Sequence, residues 1–189
     1  SSTELAFVDR AEITNAFDNA LTAGTGLSAG GTYNGNVART FEKRNCDAVY
    51  GDLVYVKFYD TDKIVRYWQS GNYSVKKIKN GWMLPHPTFF VKREMYEKYG
   101  YYNTELKSAA DYEMILKLLY KQNINVFYIP MILVKMRMGG KSNASIMNRI
   151  RANKEDGLAW TENQLNKPLF VRIKKPLQKI KQLFLKPKL

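Results

Sequence analysis

Cysteine, histidine and long apolar runs are what this sequence has least of. Its 189 residues hold one cysteine, Cys46, and one histidine, His86. A single thiol excludes an intrachain disulfide framework and fits a reducing compartment. One His and one Cys offer no structural zinc site and little support for a Cys–His nucleophile pair. Any metal would have to be held by oxygen ligands, as Mg²⁺ and Mn²⁺ are. The apolar stretch "VFYIPMILV" (126–134) stops far short of the roughly 20 residues a membrane helix needs. The opening "SSTELAFVDRAEITNAF" lacks a basic start followed by an apolar core, so no signal peptide is expected. Acidic residues run out altogether after Glu162, while Lys167, Arg172, Lys174, Lys175, Lys179, Lys181, Lys186 and Lys188 follow. Of the net charge of +13, only about five units are left for the rest of the chain. The basic pI therefore mainly describes a tail.

What is present suits one ordinary domain. Hydrophobic residues make up 45% and aromatics 13%, enough for a real core, and 13 Tyr with 9 Phe favour a strand-rich or mixed fold. The chain divides into three parts: a Gly- and Ala-rich segment at 1–36, a structured body at 37–165 and a basic tail at 166–189. "VARTFEKRN" (37–45) reads as a short helix. "DAVYGDLVYVKFY" (47–59) and "KIVRYWQ" (63–69) read as two strands joined by the turn chemistry of "DTDK". Pro85 and Pro87 are expected to hold His86 extended. "TFFV" predicts a strand, and "KREMYEKYG" a helix ended by Gly100. A helix is expected over 109–122, strands over "NVFYIP" and "ILVKMRM", and a further helix over about 144–165.

The helix at 109–122 poses a question. Met114, Ile115 and Leu118 lie three, four and seven residues after Asp111, so a carboxylate shares the face that should be buried. One reading is local: Ser108 is the N-cap and Asp111 the capping-box acid, favoured by the positive end of the helix. The other is functional: a base must be rigidly placed near the proton it removes, and the first turn of a well-packed helix is such a place. His86, stiffened by two prolines among aromatics, is either a satisfied surface or core histidine or part of a pocket wall. "RMGGKSN" (137–143) is either a flexible loop or a site where Arg137 or Lys141 pairs a phosphate beside permissive glycines. It lacks the spacing of a phosphate-binding Walker loop. Asp60 and Asp62 in "DTD" could grip a divalent ion, but Asp is common in such turns for backbone reasons. In the tail, Leu177, Ile180, Leu183 and Phe184 fall at helical spacing among lysines. Residues 167–189 therefore read either as a helix on an anionic membrane or as a solvated basic tail. No nucleic-acid-binding signature appears, and charge alone is unspecific, so no nucleic-acid partner is expected.

The segments "DAVYGDLVYV", "GWMLPHPTFFVKREMYEKYGYYNTELKSAADYEMILKL" and "ILVKMRMGGKSN", in this order, resemble the C-terminal half of family-2 glycosyltransferases of the GT-A fold. The similarity is greatest to bacterial enzymes of cell-surface polysaccharide assembly, and runs from about Phe41 to near Lys181. The resemblance implies an α/β fold with a mixed sheet flanked by helices, a shortened or atypical N-terminal nucleotide-binding half and a basic C-terminal helix. It implies inverting transfer of a sugar from a nucleotide-diphosphate donor to an acceptor hydroxyl on a glycan or lipid-linked molecule. Asp111 would be the catalytic base. Trp82, His86, Glu113, Arg137, Gly139, Gly140 and Ser142 would contact substrates. A Mg²⁺ or Mn²⁺ ion would offset the leaving diphosphate, with ligands that the matched part does not identify. The expected location is the cytoplasmic face of a bacterial membrane. The alternative is a non-catalytic module, derived from such an enzyme, that binds a glycan-lipid or a membrane.

Overall fold

One strand organises the molecule. β1 (Ala48–Val56) has the sequence AVYGDLVYV, and all of it is buried except Tyr55, which is partly so. β-Branched and aromatic residues suit such a strand, covered on both faces. In this computed structural model, residues 31–106, 108–138, 155–168 and 185 are described. β2 (Ile64–Trp68) pairs antiparallel with the C-terminal half of β1, Leu53 opposite Trp68 and Tyr55 opposite Arg66. β3 (Phe90–Val91) pairs antiparallel with its N-terminal end, Ala48 opposite Val91. β4 (Val126–Arg137) runs parallel to β1 along the opposite edge. The result is a four-stranded mixed sheet flanked by helices, the α/β architecture expected from the sequence.

The hairpin forms for the reason its turn suggested. The Asp60 carboxylate accepts from the Asp62 N–H, the Lys63 N–H donates to the Asp60 carbonyl, and Lys57 N–H closes on the Lys63 carbonyl. Alternation along β1 then sends side chains to two cores. Val49 and Leu53 pack with Ile129, Leu133 and Val134 under α1 (Gly31–Arg44), which contributes Val37 and Phe41. That helix begins at Gly31, so it crosses the boundary expected at residue 36. Ala48 and Tyr50 face the larger core, formed with Ile78, Trp82, Leu84, Phe89 and the helix that carries Asp111.

The helices of that larger core are short. α2 (Val75–Lys79) is capped by the Ser74 hydroxyl, which accepts from Lys77 N–H. α3 (Arg93–Tyr99) ends at Gly100, whose φ of 90° is costly for any residue with a Cβ. α4 (Ala110–Ile115) continues into wider π-type turns over Leu116–Lys121. α5, residues 155–162, brings Ala159 and Trp160 into the same core. α4 and its extension are buried on nearly every side, at Tyr112 through Leu116 and again at Leu118 and Leu119. One apolar stripe was expected there; a helix enclosed by sheet, α2, α3 and α5 needs more than one.

Where two strands were expected around Pro130, β4 is one strand with an irregularity. Tyr50 pairs Tyr128 and Asp52 pairs Ile132, so three residues of β4 stand against Gly51. Proline has no N–H to give a ladder, so a bulge is where it can sit. Gly51 makes the close approach possible. A Cβ there would lie 2.5 Å from Leu133 Cγ and 2.9 Å from the Met131 carbonyl.

Candidate functional site

The site is built on a buried polar network under the sheet. Asp52, 1% exposed in the middle of β1, accepts from three donors: Tyr67 OH at 2.5 Å, Ser70 N–H at 2.8 Å and Tyr128 OH at 2.8 Å. The ladder irregularity leaves the carbonyl of Gly51 to side chains. Ser70 Oγ donates to it at 2.6 Å, and Thr88 Oγ1 lies 2.9 Å from it and 2.8 Å from the Pro85 carbonyl. Trp82 Nε1–H donates to the Ser70 carbonyl, and Tyr50 OH to the Gly71 carbonyl. Burial pushes the Tyr67 and Tyr128 hydroxyls up in pKa, and the bonds to Asp52 push them further, so both stay protonated donors. Through Thr88 this network clamps the 85–88 segment to β1.

That clamp shapes His86. Instead of lying extended, His86–Thr88 form a single 3₁₀ turn. Thr88 N–H donates to the Pro85 carbonyl and Phe89 N–H to the His86 carbonyl. Pro87 fits early in such a turn because the N–H it lacks is not needed there. The turn presents the imidazole to the loop after α3. His86 Nε2 is 2.9 Å from Tyr102 OH, the rings edge to face with centroids 5.9 Å apart. Tyr96 OH lies 3.5 Å further along.

Asp111 is near enough to His86 and Tyr102 for its charge to reach both, with no hydrogen bond to either among the described residues. It sits half-buried in the first turn of α4, and its Oδ1 accepts from the next backbone N–H, Tyr112, at 2.8 Å. Its charge acts on both neighbours. Burial lowers the His86 pKa below its usual 6.5, and the Asp111 carboxylate raises it part of the way back. Burial first, then Tyr96 and Asp111, push the Tyr102 hydroxyl upward. At neutral pH the imidazole is thus neutral and the Tyr102 phenol protonated. No ion-pair contact joins His86 to Asp111 among the described residues. The capping box expected from Ser108 is not formed. The N-cap is Ala109, with no side-chain cap, and Ser108 N–H donates instead to Glu155 Oε2 at 2.6 Å.

The other residues singled out in the sequence go elsewhere. Trp82 is 9% exposed and belongs to the core, edge-on to Tyr50. Glu113, two residues on from Asp111, turns away into the protein at 2% exposure. Its Oε1 takes Asn163 Nδ2 at 3.1 Å and Lys117 Nζ at 3.4 Å, which ties α4 to the end of α5, and its Oε2 has no hydrogen-bond partner among the described residues. Arg137 ends β4, exposed, opposite Val56, and no bond joins it to the Asp111 cluster. Gly139, Gly140, Ser142 and nearly all of the tail lie outside the described residues. Tyr102 and Tyr96 were not foreseen. The only signal for them was the crowding of tyrosines in "EMYEKYGYYN".

No group of three or more His, Cys, Asp or Glu side chains that could hold a metal ion occurs among the described residues. Asp60 and Asp62 are held in the hairpin turn, 3.2 Å from Lys63 and 3.5 Å from Lys135. No protein-family model matches the sequence, and no curated protein is significantly similar to it.

Proposed function

We propose that the chain carries the acceptor-side half of an inverting glycosyltransferase of GT-A type, with Asp111 as the base. The observation that supports this most is the Asp111–His86–Tyr102 cluster. One carboxylate oxygen is fixed by the backbone, and the group stands half-open beside two neutral hydrogen-bonding side chains. In the proposed reaction, the acceptor O–H gives its proton to Asp111 as its oxygen bonds the anomeric carbon of the donor sugar. The bond from that carbon to the diphosphate breaks, and the diphosphate leaves with the electron pair. Neutral His86, braced by Tyr102, hydrogen-bonds the acceptor and so orients the attacking oxygen. A base that is positioned rather than diffusing contributes about 10²–10⁴ in rate.

The test is a transfer assay with a panel of nucleotide-diphosphate sugars, Mn²⁺ and bacterial lipid extract, with products read by mass spectrometry. Wild-type chain should form a glycosylated product with inverted anomeric configuration, and Asp111→Asn should form it about 10³-fold more slowly while remaining folded. Product formation by folded Asp111→Asn at the wild-type rate, or retention of configuration, refutes the proposal.

A further inference from the structure

We propose that the tip of the β1–β2 hairpin is a membrane-contact element that seats on an anionic lipid surface. This does not rest on the sugar-transfer reading. Tyr59 is 97% exposed and Phe58 56%, the two rings edge to face with centroids 4.9 Å apart. Met138 lies at the base of the same tip, its N–H bonded to the Val56 carbonyl, and is 43% exposed. Aromatic rings held in water at the end of a paired hairpin gain free energy from any surface that takes them in. Their OH- and ring-bearing chemistry matches the headgroup region of a bilayer.

The charges around the tip select the kind of surface. Its two acids each face a lysine, Asp60 at 3.2 Å from Lys63 and Asp62 at 3.5 Å from Lys135. Lys57 and Arg137 are exposed at the same end and have no acidic partner among the described residues. The tip therefore presents exposed apolar rings with a surplus of positive charge. An anionic bilayer answers both features, drawing the cations to the headgroups and the rings beneath them. A neutral protein groove would satisfy only the rings.

The experiment is co-sedimentation of the full chain with vesicles of phosphatidylcholine alone or with 30% phosphatidylglycerol (about a third, enough for a negative surface). Wild type should partition to the anionic vesicles and release as salt rises. Phe58→Ser/Tyr59→Ser should lower partitioning about tenfold, with circular dichroism and thermal midpoint unchanged because both side chains are exposed. Lys57→Glu should also lower it, and only on anionic vesicles. The proposal is overturned if the double variant binds as wild type does, including the case where all binding disappears on removing residues 167–189. It is equally overturned if wild type ignores anionic vesicles, or if the double variant changes only self-association, which would make the tip a contact between copies.

Discussion

Asp52 and Asp111 are two carboxylates in two settings. Asp52 is sealed in the sheet with three donors converging on it. Asp111 stands half-open, with one oxygen on its own backbone and two hydroxyl- or nitrogen-bearing neighbours that sense its charge. A buried acceptor whose donors are all supplied holds structure together, because removing it strands those donors. A carboxylate with an uncommitted oxygen is available for chemistry. The two are also connected: Asp52 and Gly51 belong to the network that clamps Thr88, and Thr88 closes the turn that carries His86.

This contrast can be broken by exchange. The largest expected effect is on activity: Asp111→Asn should cost about 10³-fold in transfer and shift stability by no more than about 0.5 kcal/mol. Asp52→Ala should do the reverse in kind. It leaves Tyr67 OH, Tyr128 OH and Ser70 N–H without an acceptor and should lower unfolding free energy by about 3 kcal/mol or more in urea titrations. If Asp52→Ala unfolds at the wild-type midpoint, the two carboxylates do not differ as argued. Next comes Gly51→Ala. The added methyl meets Leu133 and the Met131 carbonyl, and should cost about 1–3 kcal/mol by the same measurement.

The smallest effect sharpens the open site. Below pH 6.5 the unfolded chain takes up a proton that folded His86 resists, because its folded pKa is lowered. Stability should therefore be highest above 6.5 and fall as pH drops through that window to the lower folded value. His86 is the sole histidine, so its ring signal in NMR can be titrated without ambiguity. Asp111→Asn removes the influence that raises it, so the midpoint should move lower still. A midpoint that stays put would detach Asp111 from the cluster.

Much of the frame was legible in sequence because its causes are local. The hairpin followed from alternation and from the turn-forming "DTDK", and the end of α3 from one glycine. The base candidate was legible as an acid out of place on an apolar face. What escaped depends on partners far along the chain. Asp52 was not singled out in the sequence, since Tyr67, Ser70 and Tyr128 meet it only after folding. Tyr102 lay between the helix ended by Gly100 and the one expected from residue 109, where no element was expected. Ser108 satisfied the pattern of a cap, yet Glu155 from α5 took its N–H. The 3₁₀ turn at His86 arises because Thr88 is gripped by β1, a constraint no dipeptide preference records.

The parallel pairing of β1 with β4 carries a kinetic consequence. The hairpin can zip early, since its strands are neighbours in sequence. β4 reaches β1 only after the whole intervening stretch has been gathered in, and that loop must be closed before the pairing returns any energy. Docking of β4 should thus be the late, rate-setting event of folding. The bulge around Pro130, where Leu133 comes up against Gly51, should be among the last contacts made and the first released.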